Sequence, residues 1–82
     1  MHHSEAIREI MILNGVTYQE LGDTLDMSHV GVIHRINSKT GRIDSILQLL
    51  EAMDYEIVVR PRTSGDLPEG EYALRPTDYS GT

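Results

Sequence analysis

Cysteine, phenylalanine and tryptophan are all missing from this 82-residue sequence. Without cysteine there can be no disulfide, no thiolate metal site and no cysteine nucleophile, which fits a cytoplasmic protein. Without Phe or Trp the core has to be aliphatic, helped by the four Met and some of the four Tyr. No apolar run approaches the ~20 residues that span a membrane, and no signal-peptide pattern opens the chain. A Gly-rich phosphate loop, a His-x-x-x-His pair and paired carboxylates are also missing. His29 and His34 are five positions apart, so they do not stack as helical metal ligands would. No catalytic residue, cofactor or metal is therefore expected, and the protein is read as a non-enzyme. Basic charge is scarce too: seven Lys and Arg against 13 Asp and Glu leave a net charge of −6.

What is present centres on Ser28 to Asn37. Ser28 is a good N-cap, because its hydroxyl can accept from an N–H one turn into a helix. Val32 and Ile36 are four apart and share a core-facing stripe. His29, Val30, Ile33 and His34 lie off that stripe. Upstream, Thr17-Tyr18-Gln19-Glu20 has the form of a capping box and opens a second short helix to about Leu25. Only Asp26-Met27-Ser28 separates the two helices. So tight a joint is the mark of a helix-turn-helix, whose second helix enters a DNA major groove.

On these residues the chain resembles the Cro/C1-type (XRE-family) helix-turn-helix of phage and bacterial repressors. The resemblance rests on Thr17-Tyr18-Gln19-Glu20-Leu21-Gly22, Leu25-Asp26-Met27-Ser28, Val32 and Ile36-Asn37, and covers roughly residues 7–53. Tyr18 stands where the family has Gln, Gly22 where it has a small Ala, and Asp26 where it has the turn Gly. A buried Arg–Glu pair of many members falls on Met11 and Ile36, and an apolar pair is an acceptable replacement. The resemblance implies a mainly α fold: a lambda-repressor-like domain of four helices with a C-terminal β-strand or hairpin.

The remaining elements follow from pattern. Met1-His2-His3 precede any periodicity and read as a frayed terminus. Ser4 is a candidate cap for a first helix from Glu5 to Asn14, which Gly15 ends. Ile7, Ile10 and Met11 form its stripe, and Ile12 and Leu13 are also assigned to the core. A fourth helix is expected from a cap at Asp44 to about Met53, burying Ile46, Leu47, Leu50 and Met53. Tyr55 to Arg60 is rich in β-branched residues and stops at Pro61, so it reads as an edge strand. Glu71 to Arg75 can return beside it. Residues 1–54 then form the helix-turn-helix domain, 55–76 a strand or hairpin that dimerises, and 77–82 a loose tail.

These expectations assign roles. By carry-over from the family His29, Val30 and His34 face base edges, and Ile33 joins them from its angular position. Residues 27–42 hold Arg35, Lys39 and Arg42 and no acid, which is what a phosphate-facing patch needs despite the acidic total. Tyr18, Gln19, Ser28, Ser38 and Thr40 join them as phosphate contacts. Tyr55, Ile57, Val58 and Val59 are assigned to a homodimer interface, and the partner to double-stranded DNA with a palindromic operator. A monomer with an internal hairpin stays open. So does a second function: an antitoxin or other protein-interaction module that keeps the fold, with a toxin or other protein as partner and no membrane.

Overall fold

The computed structural model describes residues 1–62 and 65–79. Four helices run in order: α1 His3–Asn14, α2 Tyr18–Leu25, α3 His29–Asn37 and α4 Ile43–Ala52. A short 3₁₀ turn, Pro76–Asp78, follows. The mainly α class is thus observed. No helix is long and apolar enough to cross a membrane among the described residues.

One aliphatic cluster joins all four helices. Ile7, Leu21, Val32, Ile36 and Leu49 are each no more than 1% exposed, and Ile10, Met11, Ile46, Leu50 and Met53 complete the cluster. Tyr18, Tyr55 and Tyr72 pack around it, in place of the absent Phe and Trp. Met11 and Ile36 are both buried in this cluster.

Chain ends and caps depart from expectation at both outer helices. α1 starts two residues earlier than its pattern suggests, because His2 rather than Ser4 caps it. His2 Nδ1 accepts from the Ser4 N–H at 3.1 Å and from the Ser4 hydroxyl at 2.8 Å. His3, expected in a frayed terminus, is buried. α4 starts at Ile43, with Arg42 as N-cap and no side-chain cap bond. Asp44 instead sits inside the first turn, where a carboxylate suits the positive end of the helix. The buried face also differs: Leu49 is buried and Leu47 is 43% exposed, because the packed stripe runs through Leu49. Ile12 and Leu13 are not core either, at 78% and 49% exposed. The stripe of a two-layered small domain is too narrow to take every apolar residue of α1.

The expected strands are not formed in the single chain. Tyr55–Arg60 and Glu71–Arg75 both have irregular backbone, and no strand occurs among the described residues. A strand needs a partner for its N–H and C=O groups, and one short ribbon is marginal in water. The tail expected to be loose is held as far as Tyr79; Ser80, Gly81 and Thr82 lie outside the described residues.

Candidate nucleic-acid interface

The geometry of the α2–α3 joint comes from four local devices. Thr17 and Glu20 cap each other: the Glu20 N–H donates to Thr17 Oγ1 at 3.1 Å, and the Thr17 N–H to Glu20 Oε1 at 3.3 Å. Asp26 ends α2 in the left-handed conformation, φ 56°, one of the few non-glycine residues that do so readily. The Met27 N–H then donates to the Gly22 carbonyl at 2.8 Å. Ser28 starts α3, its hydroxyl accepting from the Gly31 N–H at 3.1 Å. Gly22 makes the joint tight. A Cβ at this position would lie 2.5 Å from the Met27 carbonyl oxygen, so α2 and the turn meet backbone to backbone.

α3 is held by Val32 and Ile36, 0% and 1% exposed. The rest of its surface is open. His29, His34 and Arg35 are exposed, Val30 is 50% exposed, and Ile33 is half-buried. Val30 and His34 stand one turn apart, as do His29 and Ile33, so the four expected base-facing residues share one side of the helix. Asn37 ends that side and accepts from the Arg8 guanidinium at 2.7 Å.

The expected phosphate set is more mixed. Gln19, Ser28, Lys39, Thr40 and Arg42 are exposed, and Ser38 is half-buried. Several already have partners. Arg35 donates to Gln48 Oε1 on α4 at 2.9 Å, and Arg42 pairs with Asp44 at 3.1 Å. The Ser28 hydroxyl serves its cap, and the Ser38 hydroxyl donates to the Arg35 carbonyl at 3.2 Å. The exposed Arg42–Asp44 pair contributes little to stability. Tyr18 is half-buried against the core, which limits its reach. Lys39 and Thr40 are exposed on the loop after α3, and their side chains make no hydrogen bond or ion pair among the described residues.

That loop is braced by residues the sequence reading passed over. The His2 Nε2–H donates to the Lys39 carbonyl at 2.6 Å. The His3 ring lies against Gly41, where a Cβ would stand 2.7 Å from its Cε1 atom. The His3 N–H donates to the Tyr79 hydroxyl at 2.8 Å, and His3 Nδ1 shares that hydroxyl at 2.8 Å. His3 and Tyr79 rings stack at 5.6 Å. His3 Nε2 is buried with no hydrogen-bond partner. Burial pushes the His3 pKa down, with the nearby His2 charge adding to it, while the carbonyls of Ile36 and Ser38 pull the other way. Nothing in the sequence flags this clasp. Its residues lie at opposite ends of the described chain, and a His doublet before a helix has no periodicity to read.

No cluster of His, Asp or Glu able to hold a metal ion occurs among the described residues. No family model, curated protein or solved structure matches the chain.

Proposed function

We propose that this chain is a sequence-specific double-stranded DNA-binding transcriptional regulator, a repressor or autoregulator. In this reading α2 and α3 are a helix-turn-helix of lambda-repressor-like type, and the protein acts as a homodimer. The observation that carries it is the asymmetry of α3. One stripe, Val32 and Ile36, fixes the helix to the core. Val30 and His34 on the opposite side and His29 beside the stripe are exposed, and Ile33 between them is half-buried, in a helix only nine residues long. Imidazoles donate to or accept from purine edges, and Val or Ile touches a thymine methyl. The acid-free stretch of residues 27–42 supplies Lys39, Arg35 and Arg42 beside that side. Arg8 on Asn37 and Gln48 on Arg35 steady the end of the helix. The resemblance of the capping box, turn and α3 spacing to Cro/C1-type repressors points the same way.

Two copies are needed because a single recognition helix reads only a few base pairs. Half-sites about 34 Å apart match one turn of DNA and a two-fold protein. The test is a gel shift of the full chain against the DNA upstream of its own gene, with random DNA as competitor. A retarded band that survives the competitor is expected. Binding that the competitor removes at its mass ratio would end the regulator reading.

One observation favours a second reading. Val30 presents half its surface to water, and the chain as a whole is acidic, with a net charge of −6. An exposed apolar residue on an acidic chain suits a protein surface, as in an antitoxin bound to its toxin. Affinity capture of a protein partner that protects α3 from hydrogen exchange, together with no DNA shift, would favour that reading.

A further inference from the structure

Two imidazoles at the start of α1 tie together the first helix, the loop after α3 and the tail. Their rings lie 4.1 Å apart, and the Tyr79 ring lies 4.4 Å from His2 and 5.6 Å from His3. His2 Nδ1 accepts the Ser4 N–H and so caps α1. The ring proton of His2 therefore sits on Nε2, which donates to the Lys39 carbonyl. The Tyr79 hydroxyl accepts from the His3 N–H and has one proton of its own, which it gives to His3 Nδ1. Both rings hold as neutral imidazoles, with Nδ1 as the acceptor.

A proton added to either ring has to go on Nδ1, since Nε2 already carries one. On His2 it removes the cap. The Ser4 N–H then faces a second donor, and a cation stands at the positive end of α1. On His3 it leaves the Tyr79 oxygen between two N–H donors, with its own proton turned away from both. With both rings charged, like charges meet at 4.1 Å. The surroundings offer little relief. The Asp78 carboxylate feels the His2 charge but is already paired with the terminal amine. The carbonyls of Ile36 and Ser38 favour a charged His3, but burial and His2 outweigh them. From the loop and α4 the neighbours are Gly41 and Ile46, which carry no charge. Lys39 presents its carbonyl to His2 and adds a further cation beyond it.

We propose that His2, His3 and Tyr79 form a proton-released brace: the neutral imidazoles hold the Lys39–Gly41 loop in place, and acidification to about pH 5.5 lets it go. The loop carries Lys39 and Thr40, the proposed phosphate contacts that bond to nothing else among the described residues. The inference rests on the DNA reading only for its consequence, that a loosened loop loses its place on the phosphate backbone. The brace itself is tested without DNA.

Nuclear magnetic resonance on the full chain reads the brace at pH 7.5 and 5.5. In wild type the backbone order parameters of residues 39–41 are expected at about 0.85 at pH 7.5 and below about 0.6 at pH 5.5, while residues 30–36 of α3 stay rigid at both. Protection of the Ser4 amide against exchange should fall about fivefold over the same range, the size of a lost N-cap. His2→Asn puts an amide oxygen where Nδ1 stands and cannot take a charge, so its Ser4 protection should hold in acid. Tyr79→Phe keeps the ring and removes the hydroxyl, so its loop should be mobile already at pH 7.5. Both positions lie outside the aliphatic core, and helix content by circular dichroism checks that the core is kept. A wild-type loop equally ordered at both pH values would overturn the inference. So would Tyr79→Phe with a loop as rigid as wild type, or His2→Asn whose Ser4 amide still loses protection in acid. The consequence for DNA is read at pH 7.5, away from any charging of His29 and His34. There Tyr79→Phe should bind the upstream DNA about fivefold more weakly, the cost of ordering the loop on binding, and equal binding would overturn that consequence. A loop that loosens in acid in a chain that binds no DNA leaves the brace and ends the regulator reading; a rigid loop in a chain that binds DNA does the reverse.

Discussion

Two helical glycines should respond to alanine with opposite signs. Gly31 lies in α3, and a Cβ there would meet the Ser28 hydroxyl at 3.4 Å, Met27 Sδ at 3.8 Å and Met27 Cβ at 4.0 Å, ordinary contacts. Gly31→Ala should therefore show the usual gain for glycine replaced inside a helix, about 0.5–1 kcal/mol. Gly22 lies in α2, and its Cβ would stand 2.5 Å from the Met27 carbonyl oxygen, 3.4 Å from the Ser28 carbonyl carbon and 3.5 Å from the His29 nitrogen. All three are backbone atoms, so no side chain can swing aside. The turn would have to move by roughly half an ångström or more, in a joint pinned by the Met27 bond to Gly22 and by the αL turn at Asp26. Forcing an extra carbon into a packed site costs about 1–3 kcal/mol. Set against the same helical gain, Gly22→Ala should lose about 1 kcal/mol net. For a domain of this size that is a fall in Tm of about 4–8 °C, with Gly31→Ala rising by a few degrees. Thermal unfolding followed by circular dichroism measures both. A Gly22→Ala variant that melts at or above wild type would refute the close approach of α2 to the turn, and with it the tightness of the joint on which the interface rests.

Four other outcomes follow from the same geometry. Asp54 closes α4 with φ 64° and sets a carboxylate at the negative end of the helix, so Asp54→Gly should gain about 1 kcal/mol, read as a raised urea midpoint. His3 has a folded pKa below its ordinary value, so its contribution is complete above about pH 6.5 and shrinks as pH falls further; His3→Gln should flatten the drop in urea midpoint between about pH 6.5 and 5.5, and parallel profiles would remove the effect. Lys39→Ala should weaken specific and random DNA alike and lower the slope of log K against log salt by about one, whereas an unchanged slope puts Lys39 in solvent. His34→Ala and Val30→Ala should each cost about 1–3 kcal/mol on the operator and little on random DNA; equal losses on both would take these residues out of base reading.

The helical part of the fold was legible wherever the signal was local. Thr17, Glu20, Asp26, Ser28 and Gly15 each act within a turn of their own position, and α2, α3 and the end of α1 fall where those residues put them. Periodicity was less reliable where apolar residues were abundant. In α4, Ile43, Ile46, Leu47, Leu49 and Leu50 offer two overlapping stripes, and packing chose the one through Leu49. In α1 the same excess left Ile12 and Leu13 outside. Within the candidate interface, the exposure of His29, Val30 and His34 could be read from their offset against Val32 and Ile36. The partners of Arg35 and Arg8 could not, since they are set by the crossing of α3 with α4 and α1. The clasp of His2, His3 and Tyr79 lay beyond any window along the chain.

That clasp has a bearing on the order of events in folding. The contact of His3 with Tyr79 spans 76 positions, whereas every device at the α2–α3 joint spans five or fewer. Short closures are quick, and long ones wait until the intervening chain has been gathered. The four helices can therefore reach their native arrangement while the last residues still search. During that interval the loop from Ser38 to Gly41 has His2 and His3 beside it but lacks the Tyr79 hydroxyl that fixes the His3 ring. When the tail arrives, that hydroxyl pairs with the His3 N–H and Nδ1 and holds the ring against Gly41. The slowest contact to form thus lies behind the loop proposed to meet the DNA backbone, and contacts at a chain end open with less free energy than a buried core.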